Sequence, residues 1–192
     1  MAGAVSLAAV LLASGHGKRF GGDKLFYDYG GKPMVERAFL SVPDGVFTRV
    51  CAVSRSEKVL ALAGEYGFVP VPNGDLTDDV AVTIRLGIGN LPEGTDGCMF
   101  LVCDQPALRR ETVAALAAAF FARPDRIWAL SFAGKRGNPV IFPSALFGEL
   151  ASLPYDTGGR AVIDRHHELL SLMEAGDGAE LDDIDAPPND GA

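Results

Sequence analysis

Three clusters of polar residues have the types and spacing to do chemistry. The first is residues 14–24, SGHGKRFGGDK, where Gly15, Gly17, Gly21 and Gly22 leave backbone N–H groups uncovered and Lys18, Arg19 and Lys24 supply positive charge. Successive amides in such a loop form a concave nest that suits a polyphosphate. The loop lacks the GxxxxGK[ST] pattern of a Walker A loop, and its GxGxxxG spacing departs from the GxGxxG dinucleotide fingerprint. A solvated turn without a ligand is the competing reading, and His16 reads as a solvent-facing loop histidine rather than a base. The second cluster is Asp104, Gln105 and Pro106 after the apolar run CMFLVC. A carboxylate at the end of a buried strand suits Mg2+, which takes oxygen ligands and substrate phosphates. Alternatively, Asp104 is a turn or cap residue before a helix near Glu111. The third cluster is Asp182, Asp183 and Asp185, which alone reads as a solvated acidic stretch. Taken together, the three point to phosphate chemistry assisted by Mg2+.

The elements that must position these clusters are legible as apolar patterns. Residues 5–13 are almost wholly apolar, as expected of a strand buried on both faces. Residues 49–54, 68–71, 98–103, 127–132 and 139–142 read as further strands, and 168–173 as an edge strand. Val35, Ala38, Phe39 and Val42 recur at helical spacing just after Pro33, a residue suited to a first helical turn. Val59, Leu62, Ala63 and Tyr66 mark a helix that stops at Gly67, and residues 78–88 mark another. Val113, Leu116, Ala117, Phe120 and Phe121 form a strong helical stripe, while residues 144–150 and 159–166 look helical. Alternating strands and helices predict an α/β fold: a Rossmann-like three-layer α/β/α sandwich with a mainly parallel central sheet. In such sheets ligands sit outside the carboxyl ends of the strands, which is where all three polar clusters fall.

Composition narrows the function further. With 192 residues and 48% hydrophobic residues, the chain suits one domain, read as residues 1–187 with a frayed tail at 188–192. Its 23 glycines exceed the usual share of ~7%, which suits tight turns and close approach to ligands. A net charge of −8 argues against gripping nucleic acid through phosphate contacts, but small phosphates remain accessible to local positive charge or a metal. Cys51, Cys98 and Cys103 fit neither a disulfide framework nor a zinc site and read as small buried hydrophobes in a reducing cytosol. The apolar run at 5–13 has no basic residues before it and is too short to cross a bilayer. The expectation is a soluble, cytoplasmic protein with no membrane partner.

Several longer motifs carry a family resemblance. LLASGHGKRFGGDK (residues 11–24) resembles the LAAGxSxRFGxxK signature of nucleotidyltransferases with a Rossmann-like fold, the nucleotide-diphospho-sugar transferase type. YDYGGKPMVERAF (27–39) resembles their GGKPLLEHVL-like segment. VCDQP (102–106), RGNPVIFP (136–143), YDTGGR (155–160) and DIDAP (183–187) resemble ADQP, RGHPVLFP, GDxGAR and DIDTP of the molybdenum cofactor cytidylyltransferases and their MobA-like relatives. The matches run in family order along nearly the whole chain.

The resemblance implies joining of CMP, from CTP, to the terminal phosphate of molybdopterin, with Mg2+ as cofactor and pyrophosphate released. A molybdenum hydroxylase would be the recipient of the product. By the same resemblance Gly15, His16, Gly17, Lys18 and Arg19 hold the triphosphate, and Arg19 and Lys24 neutralise charge on the leaving pyrophosphate. Asp104 binds the metal with Asp185 as the second acid, and Asn138, Asp156, Gly158 and Arg160 line the pterin side. Ser14 stands where relatives carry Ala or, in guanylyl-transferring members, Gly; a side chain there crowds a purine and favours CTP over GTP. Gly17 replaces a Ser and Asn138 a His. In DVAVTIRLG (79–87) Thr83 keeps a hydroxyl for the nucleotide and Arg85 keeps its charge, but Ala81 has lost a Ser. Competing readings are guanylyl transfer to molybdopterin, cytidylyl transfer to a sugar or isoprenoid phosphate, and a non-catalytic carrier of the molybdenum cofactor. An NADP oxidoreductase, suggested by Arg55 after the second strand, fails on glycine spacing.

Overall fold

The computed structural model describes residues 4–15, 20, 23–77 and 79–185. Seven strands form one sheet in the order β3-β2-β1-β4-β6-β5-β7. They are β1 (Leu7–Ala13), β2 (Val50–Ser54), β3 (Val69–Pro72), β4 (Gly97–Val102), β5 (Ile127–Phe132), β6 (Lys135–Pro143) and β7 (Leu170–Glu174). The pairs β1–β2, β2–β3, β1–β4 and β5–β7 are parallel, while β6 runs antiparallel to both β4 and β5.

Alternate residues of the central strands feed two cores, which makes the three layers. Leu7, Ala9 and Leu11 of β1, with Met99 and Leu101 of β4, pack beneath α1 (Met34–Leu40), α2 (Glu57–Glu65) and α4 (Arg110–Ala122). Val10, Cys98 and Phe100 face the other way, onto α3 (Val80–Gly89), α5 (Phe147–Ala151) and α6 (Arg160–Arg165). Complete burial on both faces explains why β1 and β4 are continuous apolar runs rather than alternating ones. Fully buried side chains such as Phe39, Leu116 and Phe120 each contribute roughly 1.5–3 kcal/mol by leaving water. Helix α3 lies unusually close to β1, because a Cβ at Gly87 would stand 2.6 Å from Val10 Cγ1.

Two details depart from the sequence reading. Strand β6 starts at Lys135, four residues before the expected 139, because it forms a hairpin with β5. The turn places Ala133 and Gly134 at φ 49° and 76°, the left-handed pair that matches the twist of the flanking strands. The segment expected to be helical at 144–150 divides into a 3-10 turn, Ser144–Leu146, and α5. The three cysteines are buried, and burial pushes their thiols above the usual range. Among the described residues no helix is long and apolar enough to cross a membrane.

Candidate active site

Because β1 to β4 are parallel, their carboxyl ends deliver Ser14, Ser54, Asn73 and Asp104 to one edge of the sheet. The antiparallel β6 brings its amino end to that edge: the register pairing Phe100 with Val140 leaves Gly137 and Asn138 beyond it, near Val102.

Lys24 sits in a one-turn 3-10 helix, Lys24–Phe26, anchored in the core by buried Leu25. The GGKP segment that follows is a tight turn, in which Gly31 N–H donates to Asp28 Oδ1 (2.8 Å) and Gly30 and Gly31 take positive φ, and it leads directly into α1. This anchoring aims the Lys24 ammonium at two carboxylates distant in sequence, Asp104 Oδ2 and Asp185 Oδ1, each at 3.0 Å. Burial disfavours the ammonium, but hydrogen bonds and charge attraction from Asp104 and Asp185 outweigh it and raise the lysine pKa. Asp104 does not cap a helix; α4 begins at Arg110 with Arg109 as its cap residue. Its backbone carbonyl instead accepts from Ile184 N–H at 2.9 Å. The neighbouring Gln105 is buried and donates to Asp183 Oδ1 (2.9 Å) and to the Leu181 carbonyl (3.2 Å). Burial and the charge on Asp104, joined by that on Asp185, hold the Asp183 carboxyl above its usual range against the bond from Gln105. Asp185, rather than Asp183, shares Lys24 with Asp104.

An ammonium gripped by two carboxylate oxygens marks a place built for positive charge. Among the described residues no group of three His, Cys, Asp or Glu side chains forms a cation cage. Two carboxylates suffice for Mg2+, which keeps several waters and takes substrate phosphates as its remaining ligands. The donor set thus fits the group.

On the other flank of β1, Ser14 is buried and its hydroxyl donates to the Val53 carbonyl at 3.2 Å. Asn73 Nδ2 lies 3.3 Å from both Ser14 Oγ and Thr83 Oγ1, so one amide joins three elements of the expected nucleotide side. Arg55 donates to the Thr77 carbonyl (2.5 Å) and to the Ser14 carbonyl, tying the end of β1 to the loop before α3. Sequence reasoning missed Asn73, whose Asn-Gly pair reads only as a turn. Arg85 donates to the Leu153 carbonyl (2.5 Å) and lies over the Tyr155 ring.

On the sheet face that carries α3, α5 and α6 opens a cavity of about 340 Å³ with apolar walls, among them Leu12, Val80, Ile84, Phe100 and Val102. Its polar lining comes from Asn138, Arg136 and Arg160. Asn138 and Arg160 were singled out in the sequence; Arg136 stood in the quoted motif without being named. Asp156, at φ 57°, and Gly158 stand on the loop before α6 and do not line the cavity. Gly15 is exposed at the end of β1, whereas His16, Gly17, Lys18 and Arg19 lie outside the described residues, as does the expected tail.

Residues 9–169 match the family of the MobA-like NTP transferase domain. The chain belongs to this family. It is 27% identical to the purine catabolism protein PucB of Bacillus subtilis (strain 168), over 94% of this chain and 92% of PucB. The fold is shared with Rv0371c of Mycobacterium tuberculosis H37Rv (TM-score 0.80, 20% identity, 96% of this chain and 95% of that one), of which a complex with manganese is also known. It is shared too with Mth528, a nucleotidyl transferase from Methanothermobacter thermautotroptrophicus (TM-score 0.78, 18% identity, 94% and 92% covered). The MobA-like assignment and the nucleotide-diphospho-sugar transferase fold agree with the sequence motifs.

Proposed function

We propose that this MobA-like nucleotidyltransferase joins CMP, from CTP, to the terminal phosphate of molybdopterin and releases pyrophosphate. The observation that carries the reading is the Lys24 ammonium between Asp104 and Asp185, and an apolar cavity lined also by Arg136, Arg160 and Val102 at the end of β4 supports it. A flat pterin with an anionic phosphate suits apolar walls with guanidinium groups. Asp104 and Asp185 would hold Mg2+, which when bound supplies Lewis-acid stabilisation of charge on the phosphates. Arg160 and Asn138 orient the acceptor, with Asp156 and Gly158 shaping the loop beside it. An oxygen of the acceptor phosphate attacks the α-phosphorus of CTP, a new P–O bond forms, and the bond from Pα to the bridging oxygen breaks. Lys24, with Arg19 and the loop Gly15 to Lys18, stabilises the negative charge that passes to the pyrophosphate. No protein nucleophile is required.

CTP preference rests on the side chain of Ser14 and its link through Asn73 to Thr83, which leave less room for a purine than a glycine would. The name of PucB connects that relative to purine breakdown, and hydroxylating a purine carbon with water is chemistry that molybdenum enzymes perform. A molybdenum hydroxylase in the cytoplasm is accordingly the expected recipient. The test is pyrophosphate release with each of four NTPs, with and without molybdopterin. Release with CTP that depends on molybdopterin is expected; no release with any NTP would overturn the reading.

A further inference from the structure

Asp185 cannot fix its own position. Its side chain is 68% exposed, and it meets Lys24 across 161 residues of sequence. What precedes it is held far more firmly. After β7 the chain forms a 3-10 turn, Gly178–Leu181, and crosses the ends of β5 and β6 to reach β4. Glu180 in that turn is 1% exposed, and its carboxylate accepts from the Arg109 guanidinium (2.5 Å) and from the Arg109 backbone N–H (3.1 Å). It thereby satisfies an N–H at the start of α4 from outside the helix. Leu181 packs directly on Gly137 of the cavity wall, where a Cβ would stand 2.6 Å from Leu181 Cδ2. The Gln105 amide holds the Leu181 carbonyl and Asp183, and the Asp104 carbonyl holds Ile184 N–H. Residues 180, 181, 183 and 184 are thus each pinned, and the next charged side chain is Asp185.

We infer that Glu180 is a positioning residue: anchored by Arg109, it seats the strap 178–185 so that Asp185 faces Asp104 at the cation site. This rests on the reading of Asp104 and Asp185 as metal ligands. The energetic logic is that an exposed carboxylate held in place binds a cation without the entropy cost of being ordered on binding.

The experiment measures Mn2+ binding alone to the full chain, by the electron paramagnetic resonance signal of free Mn2+, with thermal melts confirming folding. Glu180→Gln and Arg109→Met should each weaken Mn2+ binding about threefold to tenfold. In an Asp185→Asn background neither should weaken it further, because a residue acting through Asp185 is silent once that carboxylate is gone. A folded Glu180→Gln or Arg109→Met protein with wild-type Mn2+ affinity would overturn the inference. So would an equal loss with and without Asp185. If Asp104→Asn and Asp185→Asn themselves bind Mn2+ like the wild type, the metal site fails and the inference with it, a different result from the first two.

Discussion

The charged junction and the cavity are built on opposite plans. At the junction, Lys24, Asp104 and Asp185 are paired with one another, and each is carried by a different part of the chain. The cavity is walled mainly by aliphatic and aromatic carbon, and its Arg160 is exposed and paired only loosely with Asp164, at 3.6 Å. The first plan fixes charge in advance, which serves a step whose barrier is electrostatic. The second offers a shaped apolar surface, and under the proposed function its loosely paired Arg160 meets the acceptor. Damage at the junction should therefore appear in turnover, and damage in the cavity in acceptor affinity.

The sharpest way to break this contrast is Asp104→Ala. Its kcat for pyrophosphate release should fall by roughly a hundredfold or more, the scale of losing one preorganised electrostatic group, with an unchanged circular dichroism spectrum. Near-normal turnover at saturating Mg2+ would remove the junction from the chemistry. Lys24→Ala should cost less, about 1.5–3 kcal/mol for a hydrogen bond to a charged group. The loss should be seen as weaker CTP binding by calorimetry together with slower turnover. Arg160→Ala should raise KM for the acceptor several-fold and leave kcat and KM for CTP alone, which steady-state kinetics separates. A fall in kcat instead would mean that the cavity is not the passive partner. Ser14→Gly should have the smallest effect, a shift in kcat/KM towards GTP relative to CTP at the low end, ~1 kcal/mol or less, of what crowding in a pocket commands. An unchanged ratio would show that Ser14 only braces Asn73.

The strands and helices were legible because each buries its own face locally, and a run such as CMFLVC carries its whole reason within six residues. The β5–β6 hairpin was harder, since Ala133-Gly134 lacks the Asn-Gly or Asp-Gly signal of such turns. Asp104 could be found because it follows an apolar strand, and Lys24 because it stands in the glycine-rich segment after β1 that carries the family resemblance. The Gln105–Asp183 and Arg109–Glu180 contacts join residues 78 and 71 apart, and no local pattern says which carboxylate meets which donor. Asp104 as a helix cap was a fair local expectation that the turn through Gln105, ending at Leu108, displaced.

The strap has a consequence for how the molecule is made. All seven strands are complete by Glu174, so every strand of the sheet is synthesised before the strap. Asp185 is delivered only afterwards, by a segment that docks onto a surface the folded sheet already presents. A chain that stalls or is clipped just past β7 would hold all seven strands yet lack Leu181 against Gly137, Glu180 against Arg109 and one of the two acids. Quality control is in this sense written into the order of the sequence, because the junction closes only on chains that have been read to the end of the strap.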